Sequence, residues 1–127
     1  MADAAKTPPI SEEQARELLA AERKRITEEL DAVAARLGVE ADQVMDEIAS
    51  QDDANVIEEQ AKDQALARSL GLQLQAIERA EARLEDGSYG FSVESGEPIP
   101  AKRLERIPWA ERTTEEEERQ ARTPGSQ

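Results

Sequence analysis

The chain has 127 residues, a formal net charge of -13, 38% hydrophobic and 35% charged residues, and one each of Trp, Tyr and Phe. That is one domain's worth of chain with too few large apolar side chains for a sandwich or a doubly wound sheet, and it favours helices that bury a narrow seam. The absence of cysteine and histidine excludes disulfides, thiolate metal sites and the commonest general base, and the acidic balance is a poor match to the phosphates of DNA.

No apolar run exceeds four residues, as in Leu18, Leu19, Ala20 and Ala21, so no membrane span is expected. The opening "MADAAK" carries no hydrophobic signal region, and a soluble, cytoplasmic protein is the expectation. Residues 1–10 hold two prolines and no periodicity, which reads as a disordered arm.

Residues 11–86 read as a long antiparallel coiled-coil hairpin. Ser11 caps the first helix, and Gln14 three residues on completes an S-x-x-Q capping box. Leu19, Ile26, Leu30, Val33 and Leu37 recur at heptad spacing, and Val44 and Ile48 extend the seam past Gly38, a weak point that leaves a break open. A second helix is expected from about Asp53 to Asp86, with Gly87 as its stop and a seam of Leu66, Leu70, Ile77 and Leu84, flanked by Leu74 and Ala80. Two such seams joined by a short polar turn fold back on one another, which makes the protein an expected monomer. The turn is acidic near 46–59: residues 40–63 hold nine acids against Lys62 alone.

Residues 87–112 contain all three aromatics, Tyr89, Phe91 and Trp109. Alternation of Tyr89, Phe91 and Val93, the turn "ESGE" and the return "PIP" predict a short β-hairpin, followed by a short helix through Lys102 and Arg106. Residues 113–127 read as a C-terminal helix and tail, capped by Thr113 or Thr114 and followed by acids that suit a helix N-terminus.

The run "LEDGSYGFSVESGEPIPAKRLERIPWA", with Gly87, Tyr89, Gly90, Gly96, Ile99, Arg103, Leu104 and Pro108 in place, resembles the DksA/TraR family of bacterial transcription factors. The resemblance implies a mainly α fold, an acidic-tipped hairpin attached to a small four-cysteine zinc module. It also implies a non-enzymatic regulator whose hairpin enters the secondary channel of RNA polymerase and acts near the active centre. The family's D-x-x-D-x-A tip motif falls on Ala49, Asp52 and Ala54, so Asp52, Asp53 and Ala54 are the expected active-centre tip. Asp52 and Asp53 equally suit the start of the second helix, and both roles can coexist. Lys102, Arg103 and Arg106 are the expected contact with the polymerase rim, or simply solubilising surface charge.

The family's four metal-ligand positions fall on Ser92, Ser95, Thr113 and Glu116. Neutral hydroxyls are poor zinc ligands, so no zinc is expected. A core of Tyr89, Phe91, Ile99, Leu104 and Trp109, with Val93 and Ile107 beside it and Trp109 at its centre, is expected to hold the module instead. The positions implied for guanosine tetraphosphate binding are Ser69, Ala76 and Glu117, none of which pairs with phosphate, so that response is not expected. The competing reading is an acidic coiled-coil adaptor or scaffold that has lost polymerase binding. Paired carboxylates such as Asp42 and Asp46 lack any inferable dry pocket, and no catalytic residue is assigned.

Overall fold

A computed structural model describes residues 7–50 and 60–122 of the chain. Five helices are present among them: α1 (Glu12–Leu37), α2 (Ala41–Ser50), α3 (Ala61–Asp86), α4 (Ala101–Arg106) and α5 (Thr114–Arg122). The fold is mainly α, built on a long helical hairpin whose arms are α1 with α2, and α3. The chain divides into two compact units, Ala21–Ile77 and the pair of segments Met1–Ala20 and Glu78–Gln127, so α1 and α3 contribute to both.

In the first unit, the seam of α1 is buried at Ile26, Leu30, Val33 and Ala34, and that of α3 at Ala67, Leu70, Leu74 and Ile77. Burying each of the large side chains contributes about 1.5–3 kcal/mol. The antiparallel register is marked by Arg36, whose guanidinium donates to both oxygens of Asp63, at 2.9 and 3.2 Å. Leu66, expected in the seam, is 43% exposed, and Ala67 takes the inward position. One residue is a 100° rotation on a helix, enough to exchange seam for surface.

Gly38 does break the first arm. It adopts φ +76°, its N–H donates to Ala35 O, and the Val39 N–H reaches Ala34 O at 3.0 Å, which together form a Schellman stop. Helix α2 then restarts with its own buried pair, Val44 and Ile48. Opposite them, Gly71 in the middle of α3 has no room for a side chain: a Cβ there would run into Ile48 Cδ1 and lie 3.3 Å from Met45 Sδ. The glycine permits the close approach of α2 to α3.

In the second unit, Ser11 Oγ accepts the Gln14 N–H as the expected cap of α1. The last residues of the supposed arm are packed: Ile10 is 5% exposed, and Pro9 Cδ lies 3.0 Å from where a Gly90 side chain would begin. An apolar residue preceding a cap finds its partner at the helix entry, so order begins before Ser11. At the far end of α3, Gly87 at φ +85° and the Ser88 N–H donating to Arg83 O close the helix as expected.

The expected β-hairpin reduces to one antiparallel bridge, Phe91 to Pro98. Its flanking bonds run from Ser92 N to Glu97 O and from Ile99 N to Gly90 O, both 2.8 Å. Pro98 and Pro100 lack the N–H donors that a longer ladder requires. The packing of this unit also differs from expectation. Beside Leu19 of α1, Ile99, Leu104 and Pro108 are its fully buried large side chains, with Tyr89 at 3%, whereas Phe91 and Trp109 are half-buried and Val93 lies outside at 49%. Without a regular strand, alternation no longer places Phe91 and Val93 on the face of Tyr89, and the centre passes from Trp109 to its neighbour Pro108.

Candidate functional site

The four positions on which the family's metal ligands fall, Ser92, Ser95, Thr113 and Glu116, come together where the turn after Phe91 meets the start of α5. Thr113 and Glu116 form a reciprocal capping box: Thr113 Oγ1 accepts the Glu116 N–H at 3.2 Å, and Glu116 Oε1 accepts the Thr113 N–H at 2.9 Å. Thr113 is thus the cap, and Thr114 the first helical residue. Ser92 Oγ donates to the same Glu116 oxygen at 2.6 Å and accepts the N–H groups of Glu94 and Ser95 at 3.0 and 3.2 Å. Ser95 Oγ accepts the Glu97 N–H.

Glu116 is 5% exposed and is the one buried residue of α5. Its carboxyl is held down to about 2, first by the Ser92 hydroxyl, then by the Thr113 backbone N–H and the Ser95 hydroxyl, against the opposing cost of burial. Position also favours the charge, because a carboxylate in the first turn faces the positive end of the helix dipole. The family resemblance singles out these four residues but not their mutual bonding, since nothing in a spacing of 24 residues says that Ser92 and Glu116 meet.

Further polar ties surround this cluster. Glu94 accepts from Arg112 Nε at 2.8 Å and from Gln120 Nε2 at 2.7 Å. Arg103 donates to the Arg112 carbonyl and to Thr114 Oγ1, at 2.9 and 3.3 Å. Arg103 is therefore engaged in holding the approach to α5, while Lys102 and Arg106 on the same short helix are exposed.

A second constellation was missed by sequence reasoning. Arg79 grips Glu111 with two bonds, 3.0 and 2.9 Å, and Arg83 adds a third at 3.4 Å, joining α3 to the segment after α4. The bonds to Arg79 hold the Glu111 carboxyl below its ordinary range, while burial pushes the Arg83 guanidinium down. The i, i+4 spacing of the two arginines was the available signal, but only tertiary structure supplies the acid between them. Tyr89 lies in the same unit, its hydroxyl donating to the Pro108 carbonyl at 2.7 Å.

The resemblance implies zinc, and the donor set does not fit it. Structural zinc is held by thiolates and imidazoles, and here three neutral hydroxyls accompany one carboxylate already engaged in hydrogen bonds. Among the described residues, no group of three or more His, Asp or Glu side chains could hold a metal. The expected tip residues Asp52, Asp53 and Ala54 lie outside the described residues; Ala49, at the family's first tip position, is exposed near the end of α2. No described helix is long and apolar enough to cross a membrane.

No protein-family model matches the chain. A 46-residue stretch, 36% of the chain, is 50% identical to the RNA polymerase-binding transcription factor DksA of Caulobacter vibrioides. The solved structure of transcription factor DksA2 from Pseudomonas aeruginosa superposes with a TM-score of 0.63 over 89% of this chain and 84% of that one, at 24% identity. The chain has a DksA2-like fold. A 42-residue stretch is also 40% identical to general stress protein 16O of Bacillus subtilis. The matched stretches span about a third of the Caulobacter relative, 32%, and 26% of the Bacillus one.

Proposed function

We propose that this DksA-like chain is a non-enzymatic regulator of transcription that binds RNA polymerase, with its hairpin entering the secondary channel and Asp52 acting near the active centre. The observation that carries the reading is the coincidence of two likenesses: a DksA2-like fold over 89% of the chain and a 50%-identical stretch shared with a protein described as RNA polymerase-binding. The charge distribution supports it. Nine acids among residues 40–63 form a negative probe that a basic channel would steer inward, and such steering acts on a mobile or cationic centre without the probe holding a metal itself.

On this reading the module docks at the channel rim through the exposed Lys102 and Arg106. Arg103, which is tied to α5, positions that edge. The protein works as a cytoplasmic monomer without contacting DNA. It does not respond to guanosine tetraphosphate, since Ser69, Ala76 and Glu117 offer no cation to phosphate.

In vitro transcription with the wild type and Asp52→Asn, alongside capture of core polymerase, tests the reading. Both proteins should bind, salt should weaken the binding, and only the wild type should change promoter output. Failure of both to bind would instead favour the acidic adaptor. A parallel dimer in light scattering would favour the same alternative.

A further inference from the structure

The bonds made to Glu116 Oε1 come from within the cluster. A serine hydroxyl has one proton to donate and two lone pairs with which to accept. Ser92 uses all three, toward Glu116 Oε1, the Glu94 N–H and the Ser95 N–H. Glu116 Oε1 accepts two bonds, and the Thr113 hydroxyl accepts a third from the Glu116 N–H. A metal at this point would have to break bonds that are already made.

The cluster also occupies the position where α5 needs an anchor. Helix α5 presents no buried apolar residue to the module; the residue it buries is an acid. Burying a carboxylate is unfavourable unless its hydrogen bonds are supplied, so the Ser92 hydroxyl and the Thr113 N–H decide whether α5 stays docked. Other ties of α5, Glu94 with Gln120 and Arg103 with Thr114, are exposed and screened by water.

From this geometry we infer that the Ser92–Glu116–Thr113 hydrogen-bond lock takes the place of a metal in closing the module and docking α5. The lock gives a module that is insensitive to chelators and gains nothing from zinc, whether or not the chain binds polymerase.

The full-length protein carries its own reporter, because its single tryptophan, Trp109, lies in this unit. Urea unfolding followed by Trp109 fluorescence should give the same midpoint in buffer, with excess EDTA and with equimolar zinc. Ser92→Ala and Glu116→Gln should each lower the midpoint, and the double variant should lose no more than the larger single loss, since both remove one lock. A midpoint that falls with EDTA or rises with zinc would overturn the inference, and so would additive losses in the double variant. The chelator comparison needs no variant, so it decides the question even if a substituted protein fails to fold.

Discussion

Tyr89 offers a measurement in which one side chain is both the perturbed group and the probe. It is the only tyrosine of the chain, 3% exposed, and its hydroxyl donates to the Pro108 carbonyl. Burial pushes its ionisation from 10 up to about 12, with the nearby Arg83 charge pulling weakly the other way. Each factor of ten in an ionisation constant corresponds to about 1.4 kcal/mol, so the folded state favours the neutral phenol by at most about 2.7 kcal/mol. The sign follows from linkage. The unfolded chain gives up the proton first, near pH 10, so the stabilisation is complete below that value and is lost as pH rises from there through about 12.

Absorbance in the phenolate band should therefore titrate near 12 in the native protein and near 10 in urea. Tyr89→Phe, which leaves the Pro108 carbonyl without its donor, should cost about 1–3 kcal/mol and remove the alkaline loss of stability. A native titration midpoint near 10, or a Tyr89→Phe protein as stable as the wild type, would refute the reasoning.

Two further substitutions follow from packing and backbone geometry. Leu104→Ala should destabilise the second unit by about 2–5 kcal/mol, read from Trp109 fluorescence in urea, because Leu104 is fully buried and leaves a cavity behind. Gly38→Ala, at φ +76° with open space around it, should cost about 1–2 kcal/mol through backbone strain alone, measured as a lowered thermal midpoint by circular dichroism.

The parts legible in the sequence were those set by short-range periodicity. The seams at Leu19, Ile26, Leu30 and Val33, and at Leu70, Leu74 and Ile77, follow from spacing, as do the Ser11 cap and the Gly87 stop. Leu66 was misplaced because a heptad run can be entered one residue early, and only the facing helix fixes the phase. The module was harder. Composition identified its apolar residues, but their ranking depended on whether a regular strand forms, and two prolines prevent that. Partners separated by 24 to 32 residues, Ser92 with Glu116 and Arg79 with Glu111, leave no local pattern at all. The value of Ser92 and Glu116 as a bonded pair emerged only when the turn and the last helix were seen together.

The Schellman turn at Gly38 has a consequence for how the hairpin can vary. A continuous helix would have to hold one heptad phase from residue 12 to residue 50, and any insertion would throw every later seam position out of line. The turn resets the count. Helix α2 answers to its own pair, Val44 and Ile48, and to the notch left by Gly71, so residues 41–50 form a cassette. Its length and charge can change without renegotiating the contacts of α1, provided that the notch on α3 is kept.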